Sequence, residues 1–334
     1  MKEVSWSVSV IEEETLPYLA GIKINEFYLN PESCVLAFHR GRSKLAEIFH
    51  ESVSDPGVHC PHNSYGHVSS LGCKIVFPEN SEPYAKPTFA NLDEGISALE
   101  RKVDFASNPL FAHHLKMYNH LRNVFKDEEI AFSGFGYEGP VTTAGLLRGQ
   151  SFFTDIHREP EKAREFLKLV TTSVVTFVHF LREADGGEKV NPNSGGLCDD
   201  HASFIPPSMW PKFVLPYWDQ YYNCITTGKR NLHCENLSPP HLKYLAQAGI
   251  SHYEPSVSPR LNPQTIKELI SIPFSWLLSP FKATSMTKEE VRGWVIEVAG
   301  SGVNHIWLEV DKFLCEGNGP DRVAAFIDTC KEIK

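Results

Sequence analysis

The sequence predicts a mixed α/β chain folded as a (β/α)8 barrel of the TIM type. Short apolar segments alternate with amphipathic segments from residue 129 to residue 333, as expected for parallel strands covered by helices. The connections between them are short, and no GxGxxG turn follows a strand, which favours a closed barrel over a Rossmann fold. A chain of 334 residues can bury roughly three quarters of its unfolded surface in one core.

The individual elements follow from the periodicity of apolar residues. Helix 161–183 has an apolar face that includes Phe166, Val170, Val174 and Phe177. Helix 208–226 contains Pro211 and Pro216, which should kink it. The other predicted helices are 239–248, 263–270, 288–299 and 321–333. The predicted strands are 129–134, 230–234, 251–254, 274–278 and 305–310, and residues 195–200 are predicted to be the end of a strand with acids at its tip.

The first part of the chain has a different character. Residues 1–90 are rich in turn formers and contain one β-like run at 73–77. We therefore expect an irregular N-terminal segment, 1–90, that packs on a barrel formed by residues 91–334 within one structural domain.

Charge and composition exclude several classes of protein. The formal net charge is −9 and no long run of Lys or Arg occurs, so a nucleic-acid or anionic-membrane surface is not expected. No apolar stretch approaches the ~20 residues of a membrane helix, and the N-terminus has no signal-peptide pattern. The 8 cysteines include no CxxC pair, so we expect reduced thiols in a cytoplasmic protein.

The predicted strand ends carry ligand-type side chains. In a barrel these ends meet at one mouth, where they would form a metal-binding or acid–base cluster. Asp200 and Asn236 could instead cap the helices that follow. The residues in question are Glu138, Asp199, Asp200, His201, His233, Cys234, Glu235, His252, Glu254, Glu309, Asp311 and Cys315.

His233 and Glu235 form the most informative pair. Residues i and i+2 of a strand point the same way, so both would reach the mouth while Cys234 points toward the helices. A register slipped by one residue would turn Leu232 and Cys234 inward, but would bury His233 and Glu235 against helices. With Cys315 as a third ligand, the set His233, Glu235 and Cys315 suits zinc with one open position.

Several segments resemble the uroporphyrinogen decarboxylase superfamily. They are GPVTTAGLLRG at 139–149, FTDIHREPE at 153–161, Asp199–Asp200 with PSMW and LPY at 207–217, and LHCEN at 232–236. They occur in the order seen in the superfamily, and the alternation of strands and helices extends the match to the C-terminus. The resemblance implies a (β/α)8 barrel.

The superfamily contains at least two chemistries. Its decarboxylases use no metal and bind a polycarboxylate porphyrinogen through an N-terminal RQAGR segment. The nearest segment of this chain, Arg40-Gly41-Arg42, is a poor match to it. Its cobamide-dependent methyltransferases work with a corrinoid protein, and the thiol-methylating members bind zinc through H-x-C and a later Cys. His233 and Cys315 fit that pattern, whereas Glu235 stands where the first Cys would be.

The departure at Glu235 favours one direction of methyl transfer. Zinc held by a single thiolate is less electron-rich and therefore a stronger Lewis acid. That suits activation of an ether oxygen, so we expect O-demethylation of a methoxylated aromatic, with the methyl group passing to the cobalt of a partner corrinoid protein. Methylation of a thiol or another acceptor by methylcorrinoid, and a metal-free decarboxylase, remain alternatives.

The resemblance and the strand ends together suggest roles for further residues. Asp200, Glu254 and Tyr137 are the predicted catalytic residues, the two acids as proton donors. The predicted substrate-binding residues are Phe135, Phe204 and Trp210, for which ordinary core packing is the competing interpretation.

One histidine-rich loop lies outside these motifs. It contains His59, Cys60, His62 and His67, which could form a second metal site. The loop lacks a regular ligand frame, and a loop near the mouth without metal is the favoured interpretation.

Overall fold

The computed structural model describes residues 4–50 and 52–333. Within them it contains eight strands. They are β1 Ser5–Val10, β2 Lys74–Val76, β3 Tyr84–Lys86, β4 Ser194–Cys198, β5 Lys229–His233, β6 Ile250–Glu254, β7 Ser275–Leu278 and β8 His305–Val310.

The same residues form seventeen α-helices. They are α1 Glu12–Ala20, α2 Ile24–Leu29, α3 Pro31–Leu36, α4 Arg42–Phe49, α5 Gly66–Ser70, α6 Leu92–Leu99, α7 Pro109–Val124, α8 Pro140–Arg148, α9 Ser151–Arg158, α10 Pro160–Ala184, α11 Trp210–Phe213, α12 Leu215–Ile225, α13 Pro239–Gln247, α14 Pro263–Leu269, α15 Pro280–Ser285, α16 Lys288–Gly300 and α17 Gly319–Glu332. None of the described helices is long and apolar enough to cross a membrane.

Six of the strands are parallel and follow one another around the molecule. β4, β5 and β6 form one sheet, and β7, β8 and β1 form another. A parallel bridge between Tyr253 and Phe274, with a 3.0 Å hydrogen bond from the Tyr253 amide to the Pro273 carbonyl, joins β6 to β7. The C-terminal ends of all six strands therefore lie at one edge.

Two extended segments continue this arrangement beyond β4. The Gly139 amide donates to the Cys198 carbonyl at 2.6 Å, and Phe135 forms a parallel bridge with Asn63. Among the described residues, however, no backbone hydrogen bond joins the segment 58–63 to β1. The molecule has a mixed α/β fold with parallel sheets, and complete closure of the barrel stays a prediction.

The predicted division at residue 90 does not separate the parallel strands. β1 comes from the N-terminal segment, yet it pairs with β8 along its whole length, from Ser5–His305 to Val10–Val310. The alternation of Ser5, Ser7 and Ser9 with Trp6, Val8 and Val10 has the period of a strand. The segment 1–90 thus contributes one strand to the parallel sheet, in addition to the packing predicted for it.

The other predicted elements are largely present. Predicted strands 230–234, 251–254, 274–278 and 305–310 correspond to β5–β8. The predicted strand end at 195–200 corresponds to β4, which ends two residues earlier, at Cys198. The predicted strand 129–134 is absent, and in its place the chain only bridges at Phe135. Helix 208–226 is interrupted at Val214, because Pro216 cannot continue the hydrogen bonding of α11.

The core lies between the parallel strands and the helices outside them. α10 packs against α6, α8 and α12, and its face includes the buried Phe166, Val170, Val174 and Phe177. A second apolar cluster, centred on Phe27 and Phe38, packs helices α1–α3 on α7.

His67 of α5 is a fully buried histidine in this core. Its Nε2 atom lies 2.9 Å from Ser173 Oγ, its Nδ1 atom has no partner, and its ring packs against Phe177. Burial lowers the pKa of His67 to about 3. Burial also lowers the pKa of His114, to about 4, with the charges of His113 and His62 adding to the effect.

Acid should therefore destabilise the fold through these two histidines. In the unfolded chain each takes up a proton near pH 6.5, whereas the folded chain resists protonation until about pH 4 or 3. Because the unfolded state binds more protons in this window, the free energy of unfolding should fall with pH below 6.5. The slope is about 1.4 kcal/mol per pH unit for each histidine.

Urea unfolding at a series of pH values tests this. His67→Gln should be less stable than the wild type at pH 7 and should lose less stability on acidification. The exposed His157→Gln serves as the control and should keep the wild-type slope. An unchanged slope in His67→Gln would contradict the assignment.

Candidate active site

The register of three parallel strands places three ligand-type residues in one row. Cys198, His233 and Glu254 are the last residues of β4, β5 and β6. Cys198 pairs with His233, and His233 pairs with Glu254. Side chains that pair directly across neighbouring strands lie on one face of the sheet, and all three line the same cavity, whereas Cys234 is fully buried and does not line it. His233 thus lines the cavity and Cys234 does not, as the preferred register predicts, whereas Glu235 is not among the residues that line the cavity.

His233 is held between two acids. Its Nδ1 atom hydrogen-bonds Glu254 Oε2, and its Nε2 atom lies 3.5 Å from Asp200 Oδ1. Burial lowers the pKa of His233, but the hydrogen bond and charge of Glu254 and the charge of Asp200 outweigh it and raise the pKa to about 9. Glu254 is itself fixed by the Ser256 amide at 2.6 Å. A carboxylate that orients one ring nitrogen and leaves the other free is typical of metal-binding histidines.

Cys198, Asp200 and His233 together form a candidate metal centre. One ligand atom from each lies within 4.8 Å of the other two. Asp200 is oriented by the Glu235 amide, which donates to Oδ1 at 2.8 Å. Burial, with the charges of Glu138 and Asp200, raises the pKa of the Cys198 thiol far above its usual value, so the thiol needs a cation to ionise. One sulfur, one imidazole and one carboxylate fit zinc with an open fourth position.

The row forms one wall of a cavity of about 440 Å³. The Tyr137 hydroxyl lies 3.1 Å from the Tyr221 hydroxyl, which donates to the Gly196 carbonyl at 2.8 Å. The Tyr137 ring is thus tied to β4. The residues that line the cavity are Tyr137, Gly196, Leu197, Cys198, Asn231, Leu232, His233, His252 and Glu254.

Two carboxyl groups near the row hold protons close to neutral pH. Burial raises the pKa of Glu138 to about 7, with the charge of Asp200 adding to the effect. Burial and the charge of Glu254 raise the pKa of Glu309 to about 7. Glu138 and Glu309 were named from the sequence only as members of the strand-end group, without a role of their own, and Cys198 was not named in that group. Their position at a strand end was the available signal.

Asp199 and Asp200 have different tasks although they are adjacent. Asp199 is fully buried, and its carboxylate accepts the amides of Val141 and Thr142 at the start of α8 and the Trp218 indole N–H. It anchors a helix N-terminus, where negative charge is favourable. Asp200 is half-buried and faces His233.

The structure does not bring the predicted ligands His233, Glu235 and Cys315 together. The two metal-capable groups found among the described residues include neither Glu235 nor Cys315. Cys315 is buried after β8, where its thiol lies 3.4 Å from the Asp311 carbonyl. Glu235 follows β5 and faces the Val257 amide at 3.5 Å. The candidate set is therefore corrected to His233, Asp200 and Cys198.

The predicted aromatic pocket is only partly present. Tyr137 lines the cavity. Trp210 is fully buried against Trp218 and His241, and its indole donates to backbone carbonyls, which corrects its predicted substrate-binding role. Phe135 is likewise buried in an aromatic cluster with Phe177. Phe204 is 57% exposed beside the mouth.

Comparisons with known proteins agree with this fold. The family model described as uroporphyrinogen decarboxylase (URO-D) matches residues 63–271. A solved methyltransferase from Methanosarcina mazei is 18% identical, with a TM-score of 0.67 over 100% of this chain and 95% of that chain. At this identity the likeness shows a shared fold. No curated protein matches the sequence.

The contrast between Asp199 and Asp200 is testable by unfolding. Asp199→Ala leaves two amides and an indole N–H buried without an acceptor, so it should lower the free energy of unfolding by about 3 kcal/mol or more. Asp200→Ala should cost about 1 kcal/mol or less, because it also removes one of several neighbouring negative charges. Urea denaturation at pH 7 compares them, and equal losses would contradict the assignment.

Proposed function

Since the chain belongs to the uroporphyrinogen decarboxylase (URO-D) family, we propose that it is a zinc- and corrinoid-dependent methyltransferase of that family. The methyl group would pass from a small methylated donor, a methoxylated aromatic, to the cobalt of a corrinoid protein. The observation that carries the proposal is the row of Cys198, His233 and Glu254 along one cavity, with Asp200 3.5 Å from His233.

The charge of the cavity favours this proposal over decarboxylation of a porphyrinogen. No Lys or Arg is among the described residues that line it. Glu254 lines the cavity, Asp200 lies 3.5 Å from His233, and burial and the charge of Glu254 raise the pKa of Glu309. A polycarboxylate would be repelled there, whereas a divalent cation and a neutral donor would be accepted.

Zinc would be held by Cys198, Asp200 and His233, with Glu254 fixing the orientation of the His233 ring. When bound, zinc supplies a Lewis acid that stabilises negative charge on a leaving oxygen. This set contains one thiolate, as did the set predicted from the sequence, although the thiolate is that of Cys198 and not that of Cys315. Zinc bound by one thiolate would be a strong Lewis acid, so activation of an ether oxygen remains the favoured chemistry. Methylation of a thiol from methylcorrinoid is the second candidate.

The protein side chains have separate tasks. Glu309 occupies an inward position of β8 opposite Ser9, and its raised pKa of about 7 lets its carboxyl group hold a proton for a departing phenolate. Tyr137 offers an aromatic face fixed by Tyr221. Glu254 is engaged by His233 and Ser256, which favours a positioning role over the predicted role of proton donor.

The rim of the mouth offers a surface for a corrinoid protein. Four exposed apolar side chains follow strands β4, β6, β7 and β8. They are Phe204, Val257, Phe281 and Phe313, with Phe281 89% exposed. Exposed apolar residues grouped around a polar opening are typical of interaction sites.

The activity can be measured with free cob(I)alamin. The zinc-loaded chain should form methylcobalamin from a neutral methoxylated aromatic such as a methoxyphenol, which is visible in the absorption spectrum. His233→Ala and Cys198→Ser should reduce the rate by about 100-fold or more, and Cys224→Ser, a thiol remote from the row, should not. Metal-independent release of carbon dioxide from a porphyrinogen would contradict the proposal.

The rim can be tested separately from the chemistry. Replacing both Phe281 and Phe313 by Ser should raise the KM for a corrinoid protein by about 10-fold or more, while the rate with free cobalamin stays unchanged. Ile296→Ser on α16, whose side chain is 59% exposed, is the matched control. An equal loss with free cobalamin would show that the rim acts on the site itself.

A further inference from the structure

The structure assigns a second divalent-cation site, formed by Glu13, His59 and His62 with Glu12 beside them, to the seam between β1 and residues 58–63. One ligand atom from each of the first three lies within 4.8 Å of the other two. This site is separate from the row at Cys198 and independent of the proposed function.

The two histidines are aimed at acids of the first turn of α1. His62 Nδ1 lies 2.8 Å from Glu13 Oε1, which also accepts the His62 amide at 3.0 Å. His59 Nε2 contacts Glu12 Oε2. Glu13 and His59 are largely buried, whereas the His62 side chain is 59% exposed. A cation could therefore enter from solvent and keep a water ligand.

The orientation of His59 is the one that metal-binding histidines adopt. Its Nδ1 atom lies 2.8 Å from the carbonyl of Cys60, to which an N–H must donate. The lone pair of Nε2 then faces Glu12, and a second proton or a cation must lie between these two acceptors. A backbone carbonyl that fixes the second ring nitrogen in this way is a common partner of a metal-bound imidazole.

The surrounding charge favours a cation. Glu12, Glu13 and Glu14 share the first turn of α1, and Glu13 and Glu14 both raise the pKa of Glu82, although burial is the larger cause. Among the described ion pairs, His59 and His62 pair with Glu12 and Glu13. The other basic side chain paired with the three acids of this turn is Lys312, whose Nζ atom lies 3.5 Å from Glu14.

The site lies between β1 and the segment 58–63, which backbone hydrogen bonds of the described residues do not hold together. Among residues 4–50 and 52–333, no backbone hydrogen bond connects β1 with 58–63. A cation bound by the α1 acids and by His59 and His62 would link these two parts of the chain. Two imidazoles and one or two carboxylates suit zinc. Cys60 is not a ligand, because its thiol is buried in the Phe38 cluster.

His67, the third histidine of the loop, does not belong to the site. It is buried against Phe177 and bonded to Ser173. The structure thus separates the histidine-rich loop into two candidate ligands and one core residue.

Zinc analysis of the full-length chain tests the proposal. In the His233→Ala background, which weakens the site at the mouth, adding His62→Ala should remove about one further equivalent of zinc per chain. Zinc should raise the midpoint of thermal unfolding of His233→Ala, and this rise should be lost when His62→Ala is added. Glu13→Gln should weaken zinc binding in the same way.

His157→Ala in the same background is the control, because His157 is exposed and distant in sequence from the loop. It should leave both the zinc content and the thermal shift unchanged. Zinc content that does not respond to His62→Ala would overturn the second site, and would show that His59 and His62 only form ion pairs with Glu12 and Glu13. The loss of zinc caused by His233→Ala alone reports on the site at Cys198, so the two sites are tested independently.

Discussion

The parallel hydrogen-bond ladder of β4, β5 and β6 is the constraint on which the candidate site depends. It sets Cys198 opposite His233 and His233 opposite Glu254, although these residues are distant in sequence. A slip of one residue in β5 would exchange His233 for Leu232 at the cavity. Because Leu232 is buried in the core, such a slip would also move an apolar side chain out of the core. The packing of the core thus fixes the position of the polar row.

Asp199 connects this ladder to the rest of the fold. Its carboxylate accepts two amides at the start of α8 and the indole of Trp218 in α12, and the Gly139 amide donates to the Cys198 carbonyl. The segment with Tyr137 and Glu138 is therefore held against β4. A buried acid that satisfies three donors can be essential for the site without contacting a substrate.

Much of the fold could be predicted from the sequence because strands and helices differ in apolar period. The bounds of β8 and α10 were predicted within one residue. β1 was missed because its alternation of serines with larger residues lies in a region rich in turn formers. Strand 129–134 was predicted from apolar content, but it is only bridged through Phe135.

The site was harder to predict, because ligand sets join distant strands. His233, Asp200 and Glu254 stand at strand ends, where the barrel rule points to them. Cys198 closes β4 without any spacing motif, whereas Cys315 fitted a family pattern and lies apart from the row. Likewise, the pairing of Glu12 and Glu13 with His59 and His62 depends on a contact between segments that no local pattern reveals.

The zinc X-ray absorption spectrum of the His62→Ala protein tests the central claim most directly. With the second site removed, we predict one sulfur ligand at about 2.3 Å with nitrogen and oxygen ligands at about 2.0 Å. The sulfur signal should disappear in Cys198→Ser and persist in Cys315→Ser. A spectrum without sulfur, or one that loses sulfur only in Cys315→Ser, would contradict the metal centre described for Cys198, Asp200 and His233.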